Sequence, residues 1–414
     1  MRQFLPEKFA GYLAFVFLLY PIMVVKYLPF GGGARYLTVL SSTAALLILA
    51  LKWREAGGGA RLLRLGASFV APFLPLVAGL AFLALYHQQQ MDLGVIVIAV
   101  LCASLMYMAL QAAPLSERHL AWSAAMAGWL YLIVACYEVF YLGRGRAWGG
   151  VYENRFGEFC VLGIGVGVIY VLRQWSRLAW GERAWMAGSL GATIYALVLS
   201  ASRGPFLAFA ALIVYVVWRN LRKKWFLIAL AGGLALAAVV IAQSQSPYMD
   251  RVRLAFLEIW RFFEYGNVRG SSVGMRLEFW RIAIETTPLD QFFGKGKMPY
   301  AVIAEKFPVV RDGALYMNEF YTGAGVANPW GSDGDMPQLI GYGGYFLLLI
   351  YLATFLLLLR AGKLNAYKLW VLSCAFLFGL GEVVFFHRIG FAMVVSCWAL
   401  ASAIPIGPEM RALR

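Results

Sequence analysis

The chain has 414 residues, 62% of them hydrophobic and only 14% charged, with a mean hydropathy of +0.70. No soluble domain of this length has such a composition, so the sequence reads as an all-α, polytopic membrane protein. The net charge of +15 fits basic cytoplasmic loops and an anionic substrate, and the absence of a contiguous basic stripe argues against nucleic acid.

A spanning helix needs roughly 20 apolar residues, which predicts about twelve spans. They fall near 9–27, 35–51, 67–86, 92–112, 120–142, 157–173, 184–200, 204–218, 225–243, 342–360, 366–385 and 389–406. The first run follows a charged start with no small-residue cleavage site and reads as a retained helix. Ser202-Arg203-Gly204-Pro205 interrupts the 184–218 stretch, which is drawn as two short spans meeting at a turn. The three histidines are scattered, and the five cysteines all lie in apolar runs without metal-ligand spacing, so the cysteines read as small buried hydrophobes. The organisation is then a transmembrane bundle at 1–243, a loop domain at 244–341 with amphipathic helices, and a second bundle segment at 342–414.

Basic residues in short loops set orientation. With a cytoplasmic N-terminus, the inside segments hold 19 Lys/Arg and the outside short loops hold seven. Both termini are therefore expected in the cytoplasm of a bacterium and the long loop in the periplasm, with the protein in the inner membrane. Arg144, Arg146, Arg155, Arg203 and Arg388 sit on the side that topology disfavours, near Glu138, Glu158 and Glu382. Ionisable groups at span ends line a cavity or pair with one another. Structural Arg–Glu pairing and an anion site are both open for any one of these arginines.

The loop from about 242 to 340 carries ten Lys/Arg and eleven Asp/Glu among aromatic residues. Loops of this length are usually functional. Residues 251–264 have a helical pattern with a broad apolar face, suited to a bilayer interface or to packing on the bundle. In 275–287, Glu278, Arg281 and Glu285 form a solvated stripe with i,i+3 and i,i+4 spacing. Arg276 lies off that stripe, beside Phe279, Trp280 and Ala283. An arginine on that face needs a carboxylate or a phosphate as partner, and its planar fork suits phosphate. Arg203 opens a helix with Pro205 in its first turn and Ser200 or Ser202 able to cap it. A helix N-terminus beside an arginine is a ready anion site. Phe292-Phe293-Gly294-Lys295-Gly296-Lys297 is a Gly-rich turn without the spacing of an ATP-binding loop. The Tyr-, Asn-, Gly- and Trp-rich stretch 316–330 is compatible with a sugar surface. Asp333 and Asp335, at the membrane mouth, are candidates for activating a hydroxyl, the alternative being an Asp-rich cap on the next helix. His387, next to Arg388, is a third candidate base.

Ser-Arg-Gly at 202–204, Met-Arg-Leu-Glu-Phe-Trp-Arg at 275–281, Phe-Phe-Gly-Lys-Gly at 292–296 and Leu-Ile-Gly-Tyr-Gly-Gly at 339–344 occur in that order. Over roughly residues 150–345 the chain resembles the O-antigen ligase and polymerase superfamily of bacterial envelope proteins. That resemblance implies a GT-C-like fold and inverting glycan transfer from undecaprenyl diphosphate, with no nucleotide sugar, metal or other cofactor. It also implies that Arg203 and Arg276 hold the donor diphosphate. Ligases of the family carry a His-Asn type motif before the span near 342. Here the stretch reads Ser-Asp-Gly-Asp-Met-Pro-Gln, closer to the loops of repeat-unit polymerases. A polymerase is therefore preferred over a ligase that loads lipid A-core, with a chain-length regulator as a partner to look for. A flippase or transporter without chemistry is the reading from another class. It would favour interrupted helices at mid-membrane and internal repeats; no clear repeat is evident and the charges gather at one edge, which favours an enzyme.

Overall fold

The computed structural model describes residues 33–52, 59–88, 93–113, 115–149, 153–220, 272–296, 335–362, 364–381 and 388–404, with scattered positions between 250 and 264. The predicted spans 9–27 and 225–243, most of the 251–264 helix, the 316–330 stretch, Asp333 and His387 lie outside the described residues. All regular structure among the described residues is helical.

The chain runs through α1 (Gly33–Lys52), α2 (Gly59–Val70), α3 (Leu74–Tyr86), α4 (Leu93–Ala112), α5 (Glu117–Cys136), α6 (Glu153–Gln174), α7 (Trp180–Ser200) and α8 (Arg203–Asn220). It continues through α9 (Ser272–Thr286), α10 (Asp335–Arg360), α11 (Ala366–Gly381) and α12 (Arg388–Ala403). Among the described residues, four stretches are long and apolar enough to cross a membrane: Gly59–Tyr86, Glu117–Tyr141, Asn154–Arg177 and Leu339–Arg360. Ile96–Ala112, Gly204–Trp218, Ala366–Leu380 and Gly390–Ala403 are shorter apolar helices. This is a multi-pass helical membrane protein.

Two boundaries differ from the sequence reading by seven residues or more. The span expected at 67–86 begins at Gly59, because α2 joins α3 through a single tight turn at Ala71–Phe73 that Pro72 enters without breaking the rod. The helix expected at 342 begins at Asp335, seven residues earlier. The 184–218 stretch is, as predicted, two helices meeting at a turn.

α6 is the hub of the bundle. α5 and α7 pack on one side of it and on each other, while α8 and α11 pack on it elsewhere. α12 joins α11 to α4, and α3 packs on α10. Close approach relies on small residues, as is usual where lipid tails give no hydrophobic drive between helices. Gly128 of α5 faces Ser189 and Thr193 of α7, and Ser189 Oγ donates to the Ala125 carbonyl at 2.8 Å. Gly165 of α6 takes the face of Trp370 from α11, whose Nε1 donates to the Leu162 carbonyl at 3.3 Å.

Both ends of the bundle carry ion pairs. At one end Ser116 caps α5, Arg173 pairs with Glu117 at 2.8 Å, and Arg118 pairs with Glu182. α5, α7 and α11 finish at the other end, and α6 and α8 begin there; α12, antiparallel to α11, begins there too. That second end carries the site arginines.

Candidate functional site

The second end is built around a carboxylate. α5 finishes in a π-turn at Tyr137–Tyr141, a widened turn frequent at functional sites. Its second residue, Glu138, is 1% exposed. One Glu138 oxygen accepts from Arg144 Nη1 at 2.7 Å, and the other accepts the backbone N–H groups of Trp148 and Gly149 at 2.6 and 2.8 Å. Arg144 also lies over the Trp148 ring. The loop 142–149 is thus wound around one buried anion. Its far side is tied to α7, with Ala147 N donating to the Leu199 carbonyl at 2.9 Å and Arg146 Nη2 reaching the Ala201 carbonyl at 3.5 Å.

Ala201 ends α7 in the left-handed conformation, φ 48°. Ser202 follows, and α8 begins at Arg203 with Pro205 in its first turn, as the sequence predicts. Ser200 and Ser202 are both fully buried. Ser202 Oγ donates to Asn154 Oδ1 at 2.7 Å, which ties the turn to the first turn of α6. Gly157, one turn further along α6, sits against Pro205, Ser202 and Ser200, and a Cβ there would come within 2.9 Å of the Pro205 ring. The fold therefore brings Arg146, the Asn154–Arg155 turn and the N-terminus of α8 with Arg203 to one place.

Arg155 takes the structural option left open in the sequence. It is 5% exposed, and its Nη1 donates to both oxygens of the fully buried Glu158, at 2.8 and 2.7 Å. Glu138 likewise belongs to the Arg–Glu pairing that span-end charges allow.

Arg276 comes from α9, which packs on α10. Ala283 of this helix is buried, Trp280 is half-buried and donates to the Leu380 carbonyl at 3.3 Å, and Arg276 is half-buried. Arg281 and Glu285 pair at 3.1 Å on the exposed side, the solvated stripe expected from their spacing. The Trp280 bond sets α9 against the end of α11, and Arg388 opens α12 just beyond. Asp335 is the first residue of α10, where an acid suits a helix N-terminus.

The Phe292–Gly296 turn has a role the sequence did not reveal. α10 breaks at Gly344, φ 61° and ψ −159°, and the turn fills the break. Phe346 N donates to Phe292 O at 3.0 Å, Lys295 N to Gly341 O at 3.1 Å, and Gly296 N to Tyr342 O at 2.9 Å. His87, at the end of α3, meets the Phe293 carbonyl at 3.0 Å through Nε2. Phe82, Tyr86, Phe292, Phe293 and Phe346 close the joint with aromatic contacts. The turn is a clasp on a broken helix, and through it the segment after α9 is anchored to the bundle. Among the described residues, no group of three or more His, Cys, Asp or Glu is placed to hold a metal.

The chain is thus a helical multi-pass bundle with arginines at the ends of several of its helices. Residues 188–324 match the family model described as O-antigen ligase, a family of membrane enzymes that transfer glycans. The match runs from the middle of α7 through Arg203, Arg276 and the clasp turn. No curated protein matches the chain.

The buried Glu138 makes the loop testable. Glu138→Ala strands Arg144 and two backbone N–H groups, and is expected to lower stability by about 2–3 kcal/mol. Glu285→Ala, at the exposed pair, should cost under about 0.5 kcal/mol. Thermal melts of both variants in detergent check this; equal melting points would remove Glu138 from its organising role.

Proposed function

We propose that the chain catalyses metal-independent, inverting transfer of a glycan from undecaprenyl diphosphate to an acceptor sugar hydroxyl. It does so at the periplasmic face of a bacterial inner membrane, as a repeat-unit polymerase of O-antigen or exopolysaccharide assembly. The observation that carries the reading is the turn at 200–205, where the N-terminus of α8 opens beside Arg146 within the matched region. Unpaired helix N–H groups and guanidinium forks both favour a diphosphate.

In this reading Arg203 and Arg276 grip the diphosphate, with Arg146 and Arg388 at its margins. Arg155, engaged by Glu158, acts as a positioning residue that sets the first turn of α6. The acceptor oxygen attacks the anomeric carbon from the face opposite the diphosphate. The bond from that carbon to the phosphate oxygen breaks, and undecaprenyl diphosphate leaves with the electron pair. The hydroxyl proton passes to Asp333, Asp335 or His387. Because the leaving group is already good, catalysis consists mostly of charge stabilisation and positioning.

A ligase that moves the glycan to lipid A-core is the second reading, favoured by the description of the matching family. Reconstitution in liposomes separates the two. A polymerase makes ladders from undecaprenyl-diphosphate glycan alone, whereas product formed only after adding lipid A-core assigns a ligase. Run with Asp333→Asn, Asp335→Asn and His387→Ala, the same assay locates the base. Full activity in all three would show that none of these side chains takes the proton.

A further inference from the structure

At the end of the bundle opposite the arginine site lies a cavity of about 520 Å³ between the α2–α3 joint, the last turn of α10 and the α11–α12 pair. Roughly the length of α10 from Gly344 to Arg360, ~24 Å, separates it from the clasp. Among the described residues its walls contain two cations, Arg360 and Lys368, and no carboxylate. Lys368 is only 6% exposed. Its Nζ donates to the Ala361 carbonyl at 3.1 Å and sits 5.1 Å from the centre of the Trp398 ring. Among the described residues neither cation has an ion-pair partner. Ser402 Oγ, also on the wall, is buried without a hydrogen-bond partner among the described residues. The remaining lining is largely apolar, with Phe69 and Leu357 as examples.

A buried ammonium facing an indole and a carbonyl has its charge solvated but not neutralised. A cavity of this size, apolar with a few convergent polar groups, has the character of a ligand site. Basic pockets between spanning helices suit anionic lipid headgroups.

We propose that this cavity binds the phosphate of an anionic glycerophospholipid from the adjacent leaflet, the cytoplasmic one in the predicted topology. The phosphate lies between Arg360 and Lys368 and accepts from Ser402 Oγ, while the glycerol and upper acyl carbons rest on Phe69 and Leu357. The apolar wall distinguishes a lipid from free phosphate, which would leave that surface uncovered. The site is independent of the transfer reaction and stands or falls apart from it.

The test is lipid retention by the full chain, purified in detergent and followed by native mass spectrometry. Phosphatidylglycerol is titrated against phosphatidylcholine, with inorganic phosphate as competitor. The parent should hold one phosphatidylglycerol in preference to phosphatidylcholine. Arg360→Gln, at an exposed position, and Ser402→Phe, which fills the cavity, should each weaken that binding about tenfold. Lys368→Met is the less clean variant, because Lys368 also caps the end of α10 through Ala361. Equal retention of the two lipids, undiminished binding in both Arg360→Gln and Ser402→Phe, or displacement by millimolar inorganic phosphate would each overturn the proposal.

Discussion

Arg203→Ala is expected to lower glycan transfer on the order of 100- to 1,000-fold, the loss typical when one donor to a developing negative charge is removed. The folded state should be little changed. The turn has its own ties: Ser202 bonds Asn154, Pro205 packs on Gly157, and Ala147 bonds the Leu199 carbonyl. Arg203→Lys keeps the charge but loses the planar fork and should recover only part of the activity. Arg276→Ala should lower transfer similarly, with Trp280 and Ala283 still tying α9 to the bundle. The measurement is product formed in liposomes at saturating acceptor, with a melting curve for each variant. Near-parental transfer by both alanine variants would end the diphosphate-clamp account. A loss of transfer matched by a fall in melting temperature would assign these residues to stability instead.

Gly344→Ala is the second large effect, and it acts on the fold. At φ 61° and ψ −159° the backbone is in a region open essentially to glycine. A Cβ at this position would also run into the Phe292 carbonyl and Gly294 N. The helix must either stay strained or release the clasp and its three backbone hydrogen bonds. Strain of about 1–3 kcal/mol compounded by the Cβ overlap, or else the loss of three bonds worth ~1 kcal/mol each, predicts destabilisation of about 3 kcal/mol. Gly143→Ala is the matched control: φ is 65°, but among the described residues nothing stands within 4 Å of the added carbon, so only about 1–2 kcal/mol of conformational cost is expected. If the two variants melt together, the clasp contributes no more than an ordinary turn. Because the clasp joins α9 to α10, Gly344→Ala should also reduce transfer through displacement of Arg276, and a suppressing effect of excess donor would support that route.

The helical membrane class was legible from hydropathy, since burial of backbone polar groups leaves helices as the way to cross lipid without closing a barrel. Arg203 at the start of a helix was legible from Ser-Arg-Gly-Pro, because capping and proline preferences are local. The solvated stripe of Arg281 and Glu285 followed from helical spacing alone. The role of Phe292–Gly296 was not legible: its glycines are required by a break fifty residues later in the chain, and no local rule links Gly294 to Gly344. The π-turn that buries Glu138 left no mark on the hydrophobic period.

What the sequence determined by itself is therefore the inventory: apolar helices, the charges at their ends, and the turns that cap them, all set by neighbours within a few residues. Only the tertiary structure decided which charges are consumed by one another. Arg155 and Glu158 are both buried and bond directly, and Arg144 is taken up by Glu138. The physical reason is that the energy of an ion in a membrane protein depends on distance and desolvation, quantities fixed by helix packing and absent from the order of the residues.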